Sequence, residues 1–115
     1  MENTSPLSWS DFAKVDMRIG TVLQAEIFKE VKNPAYKLLI DFGDLGIKKS
    51  SAQITKVYQN PKELVGRQVV AVVNFPPKQI ANMMSECLVI AGVGEENNIV
   101  LLQPERTMPN GTKIG

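Results

Sequence analysis

From Met17 to Phe28 the chain alternates without a break: Met17, Ile19, Thr21, Leu23, Ala25 and Ile27 interleave with Arg18, Gly20, Val22, Gln24, Glu26 and Phe28. A period of two held over about a dozen positions argues for one long half-buried strand. A strand of that length has to curve if it is to bury its face in a small protein. Gly20 inside it is the expected place for a bend or bulge. A long, bent strand near the start of the chain points to a small barrel.

Around that strand the remaining elements follow from local signals. SWSDFAKVD begins with Ser8 or Ser10 as N-cap of one short helix. After a KEVKNP turn, AYKLLIDFG sets Tyr36, Leu38, Ile40 and Phe42 on one face and Lys37, Leu39 and Asp41 on the other. A short basic strand follows, IKKSSAQ. Asn60 as N-cap, Pro61 at the first helical position and Gly66 as the stop then bound a brief helix. RQVVAVVNF is a fourth strand, SECLVIAGV a fifth, GEENN a turn and IVLLQP a sixth run. Strand, strand, strand, helix, strand, strand is the order of the five-stranded Greek-key OB-fold. The expectation is an all-β OB barrel over residues 16–93, preceded by a helical extension (1–15) and followed by a C-terminal extension (94–115), in one domain of 115 residues. Ile99, Val100, Leu101 and Leu102 are apolar on both faces and Leu39 is apolar on a polar face. Cover for them comes from the N-terminal helix or, as the favoured expectation, from a second copy of the chain in a homodimer.

Composition narrows the chemistry. The chain has no histidine, the commonest general base and metal ligand, and one cysteine, Cys87, which excludes an intrachain disulfide and a multi-cysteine zinc site. GVGEENN lacks the third glycine and the lysine of a phosphate loop, and Asp41 and Asp44 read as solvators of a turn. A non-catalytic protein without cofactor or metal is expected. No run approaches a membrane span and the first residues carry no export signal, so a cytoplasmic protein is expected, and the sequons at Asn3 and Asn110 carry no weight.

Charge is segregated. Between Leu45 and Ser85 the basic residues Lys48, Lys49, Lys56, Lys62, Arg67 and Lys78 face one acid, Glu63, within a chain of net charge +1. Trp9, Phe12, Phe28, Phe42 and Phe75 fall at positions that suit core or helix packing, leaving Tyr36 and Tyr58. An aromatic platform for arbitrary single strands is therefore not expected, and a folded RNA read by shape and backbone fits better.

VDMRIGTV, YKLLIDFG, IKKSSAQIT, GRQVVAVVNFPPKQI and MSECLVIAG, in that order, resemble the tRNA-binding OB domain found at the C-terminus of many methionyl-tRNA synthetases and in free-standing relatives. IKKSSAQIT and NFPPKQI are most similar to the CsaA branch, small homodimers described as export-related chaperones. The resemblance implies tRNA as partner, with unfolded or export-bound polypeptides as a second class. It departs from the family at Ala52-Gln53 (for Ser-Gly), Asn82 (for Gly) and Cys87 (for Gly). Asparagine tolerates the left-handed backbone that a glycine would supply, whereas Cys87 puts a side chain where backbone could have approached a ligand. Charge and resemblance together nominate Lys37, Lys48, Lys49, Ser51, Asn74, Lys78 and Ser85 as RNA-binding residues. Leu39, Pro76, Pro77, Met83 and Met84 are nominated for polypeptide, with one methionine expected in the core and the other exposed. On this reading the proline-rich stretch NFPPKQIANMMSE is a stiffened lip of the binding groove.

Overall fold

The computed structural model describes residues 5–115; Asn3, with its sequon, and the first residues of the N-terminal extension lie outside them. A short helix α1 (Trp9–Ala13) is capped by Ser8, whose Oγ accepts from the Asp11 N–H at 3.1 Å. The strands β1 (Met17–Ile27), β2 (Tyr36–Asp41), β3 (Ile47–Ala52), β4 (Gln68–Val72) and β7 (Leu88–Val89) form one antiparallel sheet in the order β3-β2-β1-β4-β7. Between β4 and β7 the chain makes a small hairpin, β5 (Lys78–Ile80) with β6 (Met83–Ser85), and β8 (Ala91–Val93) pairs with β9 (Ile99–Leu101) in another.

The sheet rolls up because β3 meets the segment that follows β6. The Glu86 N–H donates to the Lys49 carbonyl at 2.8 Å, the Lys49 N–H donates to Glu86 Oε1 at 2.9 Å, and the buried Ser50 Oγ donates to the Cys87 carbonyl at 2.9 Å. This is the OB barrel expected from the strand order, with a helical turn between β3 and β4. That turn, Pro61–Leu64, is a single 3-10 turn held by a capping box between Asn60 and Glu63.

Inside the barrel Leu38, Ile40, Phe42, Leu64 and Val69 are almost wholly buried, so β2 alternates as its sequence demands. β1 does not alternate throughout. Its register shifts between Val22 and Gln24, and the extra residue, Leu23, flips the parity: Gly20 and Val22 face the core before it and Ala25 after it. The bulge therefore lies at Leu23 and not at Gly20, whose role is a close approach. A Cβ there would stand 2.7 Å from Ile40 Cγ2 and from the Phe42 ring.

Three other expectations are corrected. Tyr36 and Tyr58 are core residues, with the Tyr36 hydroxyl donating to the Tyr58 carbonyl (2.7 Å) and the Tyr58 hydroxyl accepting from the Leu101 N–H (2.9 Å). Trp9 and Phe75, expected to pack inside, are 86% and 55% exposed. SECLVIAGV is not one strand: it breaks at Ile90 so that β7 stays with the barrel and β8 leaves it. Past Asn110 the chain returns to β1, where the Gly111 N–H donates to the Ile19 carbonyl and the Ile114 N–H to the Met17 carbonyl.

Candidate nucleic-acid interface

On an antiparallel pair the side chains of directly opposed residues share a face. Lys37 opposes Ser51 and Leu39 opposes Lys49, so these four stand together on the outward side of the β2–β3 ribbon. By the same rule Lys48 opposes the fully buried Ile40 and lies on the other side. Neighbouring lysines in one strand cannot share a face, so the two nominated lysines Lys48 and Lys49 are divided between the two sides of β3. Lys48 instead lies half-buried near Cys87 and partly offsets the effect of burial, which pushes that thiol up to about 11.

Two clefts flank the outward side of β3. The first, about 280 Å³, brings together Lys37, Leu39, Lys49, Gln24, Asn82 and Met83. Lys37 is partly engaged there: its ammonium is 3.4 Å from Glu26 Oε1 and 5.5 Å from the Phe28 ring centroid. The second cleft, about 310 Å³, gathers Ser51, Pro76, Lys78 and Ser85 around Phe75 and Leu88. The β5–β6 hairpin spans both, with Asn82 and Met83 at its tip in the first and Lys78 and Ser85 at its base in the second. Among the described residues Lys48, Lys49 and Lys78 form no ion pair, whereas Lys56 donates to the Glu96 carbonyl and Arg67 lies beside Glu63 and the Tyr58 ring. Of the basic window, then, Lys49 and Lys78 are gathered at the clefts, and Lys56, Lys62 and Arg67 line neither.

The hairpin is held in place by a second apolar cluster, separate from the barrel core. Met83 (7% exposed) buries itself with Phe28 and Ala35 from the β1–β2 connection, and Val31 and Ile80 pack around them. Met83 is thus the core methionine and only edges the first cleft; Met84 is the exposed one. The turn at the hairpin tip places the left-handed backbone at Ala81 (φ 50°) and not at Asn82. Asn74, nominated for RNA, has its side-chain amide engaged within the chain. Its Oδ1 accepts from the Asp16 N–H (3.0 Å) and its Nδ2 donates to the Lys14 carbonyl (2.6 Å), which ties the end of β4 to the segment entering β1. Pro77 is exposed and lines neither cleft.

Of the residues expected between two copies, Ile99 and Leu101 pack against the barrel core, while Val100 and Leu102 are exposed together with Val93. Leu39 lies in the first cleft, which no β9 residue lines. Phe75 and Leu88 also line the second cleft and were not among the nominated residues. The signal for Phe75 was available in the two prolines that follow it, which cannot continue the ladder and so turn the ring off the end of β4.

Among the described residues no group of three metal-ligating side chains occurs, and no helix is long and apolar enough to cross a membrane. Residues 17–113 match the model of the tRNA binding domain family. This chain belongs to that family. In solved structures it is similar to the chaperone CsaA of Bacillus anthracis str. Ames, at 58% identity and TM-score 0.91, covering 96% of this chain and 100% of that one. The CsaA chaperone protein of Picrophilus torridus shares 46% identity at TM-score 0.87, over 96% of this chain and 100% of its own. Curated relatives include the methionine–tRNA ligase of Methanococcoides burtonii, 35% identical over 94% of this chain, and that of Bdellovibrio bacteriovorus, 38% identical over 99%. The chain spans 16% of the length of each of those two ligases. The resemblance to CsaA and to the ligases' tRNA-binding domain is thereby confirmed.

Proposed function

We propose that this chain is a non-catalytic, homodimeric tRNA-binding protein of the cytoplasm, a single OB-fold domain that grips the backbone of folded RNA along the outward side of β3. One observation carries the reading: Lys49 and Lys78, without ion pairs among the described residues, stand in clefts on the two sides of one strand, with Lys37 beside Lys49. Ammonium groups left without protein partners are suited to phosphates, and OB barrels bind nucleic acid on the strands that these clefts flank. Dimerisation would double the number of phosphate contacts, and exposed Val93, Val100 and Leu102 are the surface offered to it. The test is tRNA affinity at two salt concentrations together with the mass in solution. Steep weakening with salt and a mass of two chains support the reading; equal affinity for tRNA and for random single-stranded RNA of the same length defeats it.

A second reading, the holding of unfolded or export-bound polypeptide, is favoured by the 58% identity to a protein described as a chaperone. Leu39 in the first cleft, Pro76 in the second and exposed Met84 would supply its apolar contacts. It predicts suppression of client aggregation that survives high salt and replacement of the lysines. Absence of suppression at low salt would remove it.

A further inference from the structure

The second cleft combines four things that a phosphate contact alone does not need. Phe75 presents an aromatic ring at 55% exposure, immediately before two prolines that stiffen the backbone carrying it. Lys78, unpaired among the described residues, stands at the same cleft. Two hydroxyls lie within it. Ser51 Oγ has no hydrogen-bond partner among the described residues, and Ser85 Oγ reaches the Cys87 carbonyl only at 3.4 Å, beyond the usual O–H···O range of about 2.5–3.0 Å. The floor and walls, Pro76, Ile80 and Leu88, are apolar. An aromatic face, an adjacent cation, one unpaired hydroxyl and one held only by a long hydrogen bond match a base, its phosphate and its hydrogen-bonding edge.

We infer that this cleft takes one unpaired nucleobase of the bound RNA, stacked on Phe75, with Lys78 on its phosphate and the Ser51 and Ser85 hydroxyls at its edge. The inference rests on the tRNA reading and refines it, because shape recognition of a paired backbone leaves the Phe75 ring without a role. The size of the cleft favours a base over a stretch of polypeptide: about 310 Å³ is at the bottom of the roughly 300–1,000 Å³ range of small-ligand sites. Such a site suits a single flat ring. Bases in loops already lie partly unstacked, so a folded RNA supplies one at little unstacking cost, whereas a duplex does not.

The test uses the full chain and unfractionated tRNA, with a blunt RNA duplex as control. Phe75→Ala should weaken tRNA binding about 5- to 150-fold, the range that loss of one stacked base gives, and leave the salt dependence unchanged. Phe75→Leu, which keeps the apolar bulk without an aromatic face, should not restore it, and the duplex should bind wild type and Phe75→Ala alike. Trp9 is the only tryptophan, so a Trp9→Phe, Phe75→Trp protein carries its single indole in the cleft, and tRNA should quench its fluorescence where the duplex does not. Equal tRNA affinity of wild type and Phe75→Ala, or full rescue by Phe75→Leu, overturns the base site and leaves tRNA binding standing. Failure of wild type to bind tRNA at low salt overturns both. Retained tRNA binding with loss of grip on an unfolded client assigns the cleft to polypeptide and also overturns the inference.

Discussion

Phe28, the first residue past β1, and Met83, at the tip of the β5–β6 hairpin, bury themselves in one apolar cluster outside the barrel. The two connections that border an OB-fold's binding strands are thus joined to each other before any ligand arrives. Phe28→Ala should cost about 3 kcal/mol, the low end for a buried phenylalanine, because the cluster is small. Urea unfolding gives the stability. Below the transition, tRNA affinity should fall as well, since the hairpin that carries Lys78 loses its anchor; a variant that loses stability but keeps wild-type affinity would show that the anchor does not position the site.

Parity along β3 separates its two lysines. Lys49→Ala and Lys78→Ala should each reduce the slope of log affinity against log salt by about 0.7–0.9. Lys48→Ala, on the opposite side of the strand, should change it much less. Equal effects of Lys48 and Lys49 would contradict the assignment of the outward side as the RNA face.

No room exists for a side chain at position 20. Gly20→Ala would drive a methyl into the Phe42 ring and Ile40, both fully buried, and should destabilise by about 1–3 kcal/mol as overpacking does. Thermal unfolding reads this directly.

Strain at the hairpin tip predicts a gain. Ala81 holds φ at 50°, a conformation costing a non-glycine residue about 1–2 kcal/mol, while glycine gives back about 0.5–1 kcal/mol in chain entropy. Ala81→Gly should therefore stabilise slightly, by about 0.5 kcal/mol. An unchanged or lowered Tm would remove strain as the explanation.

The Cys87 thiol gives a pH dependence. Burial raises it from 9.0 to about 11 against the opposing pull of Ser50 and Lys48. The unfolded chain therefore releases its thiol proton first as pH rises. Below pH 9 the group does not affect stability, and between 9 and about 11 it progressively favours unfolding, by on the order of 2 kcal/mol. Cys87→Ala should flatten the alkaline fall in stability measured by denaturant titration across that window. Native thiol alkylation should also remain slow at pH 9.

Strand order, the capped turn at Asn60 and the inward face of β2 were legible in the sequence because each follows from local periodicity or punctuation. The position of the β1 bulge was not. Gly20 is a better local bulge former than Leu23, and only the register against β2 selects Leu23. Of the residues nominated for RNA, Lys37, Lys49, Ser51, Lys78 and Ser85 line the two clefts, whereas strand parity puts Lys48 on the other side of β3 from Lys49, which a list of nearby lysines cannot show. The roles of the aromatics are also exchanged from those the sequence suggested. Tyr36 and Tyr58 are buried because each hydroxyl finds a partner in the chain, and Phe75 is exposed because the prolines after it end the strand. Nor does anything local reveal that the Asn74 side chain reaches back 58 residues to Asp16.

β1 does not complete its hydrogen bonding until the segment around Gly111 arrives, 93 residues after Arg18, whose guanidinium also holds the Gly111 carbonyl. Until Gly111–Ile114 pair with it, the Met17–Gly20 half of β1 is held on one side only, by β4, so a chain cut before Gly111 would carry an open strand edge able to pair with a neighbouring molecule.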